Sequence, residues 1–137
     1  MDLNAPPAPD SLQESLGQVR VLQFEPGRAR IEYRCGLHMC HSGGVAQGGF
    51  VHGWIDAAMA HAIMAQTGTG MVPMTLEMKT SYFAPTRPGL VVAEGWIESG
   101  KGRSWFVEGR LLDPDGKVLA KASSTVRLVE LSAVTPR

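Results

Sequence analysis

Between Cys35 and Leu76 the chain runs for 42 residues with only one Asp, Glu, Lys or Arg, and that one is Asp56. Eight of the sixteen glycines fall in the same stretch. Those glycines and three histidines interrupt its first half, and Thr, Gln and Gly close its second, so it does not fit a membrane span. It reads instead as the buried centre of a soluble domain. A carboxylate in such a place is costly to keep charged, which makes Asp56 the first residue to explain chemically.

The rest of the composition narrows the setting. At 137 residues the chain has room for one ordinary domain, and a 44% apolar fraction is enough to build its core. Thirteen basic residues against thirteen acidic ones leave a formal net charge of zero, which removes the electrostatic footprint of a nucleic-acid binder. The opening segment MDLNAPPAPD has no cationic run followed by an apolar one, so no secretory signal is expected there. Two cysteines cannot staple a chain of this length, and a reducing cytoplasm is the simplest setting.

The order of elements follows from periodicity and turn residues. Residues 1–16 read as a proline-bearing loose tail and a short helix, with Ser11 and Glu14 spaced as a capping box and Leu12 and Leu16 on one face. Val19 and Val21, then Ala29, Ile31 and Tyr33, form two alternating runs around Glu25-Pro26-Gly27, which predicts a hairpin with one wet side. Phe50–Gln66 lacks proline and charge apart from Asp56, and predicts a helix buried on most sides. Strands follow: a run through Leu76, Met78, Thr80 and Tyr82, then Leu90–Glu98, Ser104–Leu112 and Val118–Val129, joined by short turns that imply antiparallel neighbours. About six strands bury one long helix only if the sheet curls around it, an α+β architecture. The single domain is placed at residues 17–130, with a tail at 131–137.

Gln47-Gly48-Gly49 stands directly before the helix. Paired glycines let a ligand approach the backbone, and the first helical N–H groups with the helix dipole can hold an anion or a carbonyl oxygen gaining charge. A bare Gly-Gly also serves simply to start a tightly packed helix. Read together, Gln47-Gly48-Gly49-Phe50-Val51-His52-Gly53-Trp54-Ile55-Asp56 resembles the His-Gly-Gly-x6-Asp/Glu signature of hotdog-fold thioesterases, closest to the phenylacetate-degradation type related to 4-hydroxybenzoyl-CoA thioesterase. The resemblance continues through Met78-Lys79-Thr80-Ser81-Tyr82-Phe83-Ala84-Pro85 and Asp115-Gly116-Lys117-Val118-Leu119-Ala120.

That resemblance implies a hotdog fold, a long helix wrapped by an antiparallel sheet, and hydrolysis of a small aromatic or short- to medium-chain acyl-CoA without metal or redox cofactor. Carried over, the thioester oxygen would be held by the N–H of Gly48 or Gly49, and Asp56 would be general base or nucleophile. His41 stands where relatives place a water-positioning amide, and Thr75 matches an assisting hydroxyl. Gln47 replaces the usual histidine of the motif. Rivals in other classes are a non-catalytic acyl-CoA binding module and a hotdog hydratase or dehydratase using His52 with Asp56.

Helix geometry adds an expectation about assembly. Residues seven or eight apart are separated by about 10–12 Å along a helix. The carbonyl and the attacking water must lie about 3 Å apart. One straight helix cannot serve both, whereas an antiparallel second copy can, so a homodimer with shared sites is expected; the resemblance implies the same, with tetramers common. No nucleic-acid or membrane partner is expected.

Cys35, His38, Cys40 and His41 are crowded like metal ligands, but zinc sites draw pairs from separate segments and no second cysteine pair exists, so no metal is assigned. His52 is read as packed at a subunit boundary or binding substrate, and His61 receives no role. Tyr82 and Phe83, with Trp54, are core candidates that also suit an acyl-pocket wall, as do the six methionines from Met39 to Met78. Arg87, Lys101 and Arg103 sit in or beside turns, where they suit coenzyme A phosphates.

Overall fold

The computed structural model describes residues 2–135. Its elements are α1 (Leu12–Leu16), β1 (Gln18–Glu25), β2 (Arg28–Cys35), a single 3-10 turn (Leu37–Met39), the short β3 (Cys40–His41) and β4 (Val45–Ala46), α2 (Gly48–Thr67), β5 (Met71–Tyr82), β6 (Gly89–Lys101), β7 (Ser104–Leu112), β8 (Val118–Glu130) and α3 (Leu131–Val134). Six strands form one antiparallel sheet in the order β1-β2-β6-β7-β8-β5, and β3 and β4 pair separately. The α+β architecture expected from the sequence is present, with α2 against the inner face of the sheet.

The core forms where α2 meets that face. Val51, Trp54, Ile55, Ala58, Met59, Ala62 and Ile63 line one side of the helix, and they pack on alternating residues of the strands, among them Ile31, Val91, Ala93, Val107 and Leu111. No residue from Phe50 to Ala65 is exposed, in keeping with the expected burial. At the centre the helix backbone comes too close to the sheet for side chains. Gly95 on β6 faces Gly109 on β7. A methyl group on Gly95 would lie 2.5 Å from the Ala58 and Met59 backbone, and one on Gly109 would lie 2.7 Å from Ile55 Cγ2. Ala29 flanks Gly95 and Ala122 flanks Gly109, so a row of small residues crosses four strands beneath α2.

Three local differences from the sequence reading have physical causes. The tail is not loose throughout, because Asn4 Oδ1 accepts a hydrogen bond from Val21 N–H at 2.8 Å on the outer edge of β1. β1 does not alternate regularly: two bulges shift its register, so Val19 faces out at 40% exposure. β5 also bulges, between Thr75 and Glu77, which leaves Leu76 outside the pairing and 65% exposed. The helix runs slightly beyond its expected ends, and Ser11 caps α1 through Glu14 N–H. Among the described residues no helix is long and apolar enough to cross a membrane.

Gly95→Ala should destabilise the fold by about 2–3 kcal/mol, as overpacking against a rigid backbone does. Gly70→Ala, where nothing lies within 4 Å, should be near neutral. Urea unfolding of the two variants measures the contrast.

Candidate active site

The N-terminus of α2 is built by the segment before it. The β3–β4 hairpin turns through Gly43 and Gly44, both at positive φ, and is pinned by Ala46 N–H to Thr86 O and Gln47 N–H to Met39 O, each 2.8 Å. Gln47 then caps the helix, its Oε1 accepting from Gly49 N–H at 2.8 Å. The Gly49 donor is therefore engaged by the cap, whereas Gly48 N–H has no protein acceptor among the described residues. An open cleft of about 430 Å³ adjoins this end, lined by His41, Gly48, Val51, Tyr82, Phe83 and Thr86 among others. Tyr82 and Phe83 are 52% and 62% exposed, so they wall the cleft rather than fill the core.

Asp56 lies two turns further along α2. It is half-buried, and its Oδ1 accepts a hydrogen bond from Thr75 Oγ1 at 2.8 Å. It opens into a different hollow of about 360 Å³, between α1, α2 and the start of β5. Within one chain, then, Gly48 and Asp56 do not share a cavity.

β5 holds this side of α2 through three hydroxyls. Tyr82 OH donates to Gly48 O at 2.8 Å, Thr80 Oγ1 lies 2.8 Å from His52 Nδ1, and Thr75 reaches Asp56. The helix positions are four apart, a step of about 6 Å, and Thr80 to Tyr82 is about 6.6 Å along the strand, so the two elements stay in step. His52 is thus bonded to Thr80 and not to Asp56. Thr80 was missed from the sequence; hydroxyls on alternate residues of a strand antiparallel to the helix were the available signal.

The remaining candidates separate. Arg87 Nη1 donates to Gly43 O at 2.9 Å beside the cleft. Lys101 and Arg103 lie at the other end of the sheet, where Arg103 meets Glu130 at 3.3 Å, so they do not join Arg87 around one site within a chain. Cys35 and Cys40 have their sulfurs 3.8 Å apart, and burial with the Cys40 contact pushes the Cys35 thiol up to about 12. No group of three or more His, Cys, Asp or Glu side chains among the described residues is arranged to hold a metal.

His61, given no role from sequence, lines the Asp56 hollow. Its Nδ1 lies 2.7 Å from Ala57 O. A carbonyl can only accept, so Nδ1 carries the proton. Burial lowers its pKa, partly offset by that bond.

Known proteins share this fold. The family model of the thioesterase superfamily matches residues 43–120. A Saccharolobus solfataricus protein whose name is that of an esterase is 31% identical over 104 residues, covering 76% of this chain and 74% of its own. A phenylacetic acid degradation-related structure from Ralstonia eutropha JMP134 is 27% identical, with a TM-score of 0.78 over 90% of this chain and 92% of that one. A point variant of the phenylacetic acid degradation protein of Thermus thermophilus is 26% identical, with a TM-score of 0.76 over 86% and 98%. The helix-in-sheet architecture is the hotdog fold of these thioesterase neighbours.

Gln47→Ala should cost about 1 kcal/mol of stability through the lost cap, measured by urea unfolding. A second expectation concerns pH. Because the folded His61 value lies below the unfolded one, its contribution to stability is complete above the unfolded value of about 6.5 and is lost as the pH falls. Unfolding compared at about pH 7.5 and about pH 5.5 should show a smaller acid loss in His61→Gln than in the parent.

Proposed function

The chain belongs to the thioesterase superfamily and is a thioester hydrolase, and we propose that its substrate is an acyl-coenzyme A carrying a small aromatic or short- to medium-chain acyl group. The observation that carries the reading is Asp56 itself. The only charged residue in 42 is half-buried in the wall of a largely apolar hollow and oriented by the Thr75 hydroxyl.

The chemistry follows from what each group can do. Asp56 accepts the proton of a water that attacks the thioester carbon. The oxygen of that carbon gains charge and is received at the positive end of α2, by Gly48 N–H or by Gly49 N–H once Gln47 Oε1 gives way. The coenzyme A thiolate is a good leaving group, so no strong general acid is demanded. His41, in the cleft wall, helps place the water, and Arg87 beside the same cleft suits a phosphate of coenzyme A. Lys101 and Arg103 reach such a site only from a second copy.

A second copy is part of the proposal. Gly48 and Asp56 are eight residues apart, about 12 Å along the helix, and open into separate hollows. An antiparallel partner brings its Asp56 to the first chain's helix end. β5 offers the edge for this: β8 pairs with one of its sides, and it exposes Met74 at 43% and Leu76. Two such edges satisfy each other in an isologous pairing. The proposed setting is the reducing cytoplasm, on the cysteine count alone.

Thiol release across a panel of acyl-CoA thioesters tests the reaction. Asp56→Asn should lower kcat by at least about 100-fold while keeping the unfolding midpoint; an unimpaired variant overturns the role of Asp56. Sedimentation with parallel activity measurement should show activity falling on dilution with the dimer fraction, and a fully active monomer would refute the shared site.

A further inference from the structure

Cys35 and Cys40 stand where β2 hands the chain over to the hairpin before α2. Their sulfurs lie 3.8 Å apart, and both thiols gather on the Gly36 carbonyl, Cys40 Sγ at 3.5 Å and Cys35 Sγ at 4.0 Å. Cys35 ends β2 and is 2% exposed, whereas Cys40 opens β3 and is half-buried. The chain has no other cysteine, and among the described residues no third His, Cys, Asp or Glu completes a metal set with them. Two thiols in contact, one sealed and one reachable, form a pair for which hydrolysis has no use.

The turn between them bears directly on the end of α2. Met39 N–H closes the 3-10 turn on Gly36 O at 3.0 Å, and Met39 O accepts from Gln47 N–H at 2.8 Å. Cys40 itself pairs with Ala46, the residue before Gln47. Gln47 in turn caps the helix beside Gly48, and His41, which follows Cys40, lines the cleft at that end. Cys35 is the fixed member of the pair, matched with Gly89 in the sheet and packed in the apolar core. Any approach of the two sulfurs is therefore made by Cys40, and the Met39–Gln47 bond carries it to the cap.

We propose that Cys35 and Cys40 are an oxidation site, closed into an internal disulfide by small disulfides of the glutathione type, and that its closure loosens the cap of α2 and slows hydrolysis. Cys40, once deprotonated, attacks one sulfur of the small disulfide; a mixed disulfide forms on Cys40 and a small thiolate leaves. The Cys35 sulfur then attacks the Cys40 sulfur, and the second small thiolate leaves with the Cys35 proton. The protein gives up two electrons and two protons, and the small disulfide ends as two thiols. Exposure sets the order of attack. Burial, with the neighbouring Cys40, keeps the Cys35 thiol protonated up to about 12, and capping Cys40 removes the second of those causes. A covalent link needs the sulfurs at about 2 Å, so the turn from Cys35 to Cys40 must tighten. In a reducing cytoplasm such a link is transient, the behaviour of a redox-sensing pair. The site stands without the thioesterase reading; only the effect on rate rests on it.

The whole protein, reduced and then incubated with oxidised glutathione, provides the test. Intact mass and thiol titration follow the cysteines, hydrogen exchange follows the Gln47–Gly49 amides, and thioester absorbance follows hydrolysis after glutathione is removed. The parent should lose both thiols and two hydrogens while retaining no glutathione. Exchange at the cap should quicken, kcat/KM should fall by about tenfold or more, and dithiothreitol should restore both. Cys40→Ser should stay unmodified and fully active under the same treatment. Cys35→Ala should stop at the mixed disulfide on Cys40; if that core variant fails to fold, Cys40→Ser alone carries the control. A parent that keeps its thiols, or holds glutathione stably, overturns the site. A disulfide that forms with exchange and hydrolysis unchanged overturns its action on α2. A parent that hydrolyses no thioester removes the thioesterase reading instead, and mass and exchange still decide for or against the pair.

Discussion

Two glycines facing each other across neighbouring strands allow α2 to rest on the sheet at backbone contact. Gly95 and Gly109 carry no side chain where Ala58, Met59 and Ile55 press down, and Ala29 and Ala122 extend the shallow row to either side. Everything functional is measured from the helix that this contact seats. Its depth decides how far Tyr33 and Trp54 are covered, and its position along the sheet decides which β5 hydroxyls meet it. A helix held by larger side chains would stand off by an ångström or more, and hydrogen bonds at 2.8 Å would not survive that distance.

With α2 seated, the edge strand and the helix divide the work. The hydroxyls of Tyr82, Thr80 and Thr75 orient Gly48, His52 and Asp56 in turn. Such bonds are individually modest, yet they immobilise the side of the helix that carries the polar groups. The opposite side is held chiefly by apolar packing, with Trp54 Nε1–H donated to Leu16 O as a hydrogen bond on that face. One helix therefore has a core face and a hydrogen-bonded face, and the groups proposed for thioester hydrolysis lie at separate points of the latter. The proposal that two chains join them rests on the straightness of the helix.

Much of this could be read from residue order. Asp56 stands out because its 42-residue surroundings hold no other charge, and Gly48-Gly49 stands out because a helix begins there. The strands β6 to β8 are bounded by turn residues that leave little choice. Other features depend on which residues become neighbours only after folding. Gly95 and Gly109 look like isolated breaks within two strands until register sets them opposite each other. Tyr33 has the alternation of an ordinary core residue, and nothing local shows that its hydroxyl finds no partner. Lys101 and Arg103 share a turn-like context with Arg87, but the sheet carries them to its far end. Bulges at Val19, Leu22 and Leu76 escape because alternation in a sequence does not mark the residue that drops out of pairing.

The irregularity at Leu76 has the widest reach of these. Thr75 lies an odd number of residues from Thr80 and Tyr82, so in a regular strand they would point to opposite sides. The unpaired residue changes the parity of β5 midway and lets odd-numbered Thr75 and even-numbered Thr80 and Tyr82 all meet α2. Loss of that one residue from the gene would act like a slipped tooth in a rack: one half of the strand would still mesh with the helix while the other turned its hydroxyls outward. Within one chain the position tolerates many side chains, since Leu76 is 65% exposed, but it does not tolerate being absent.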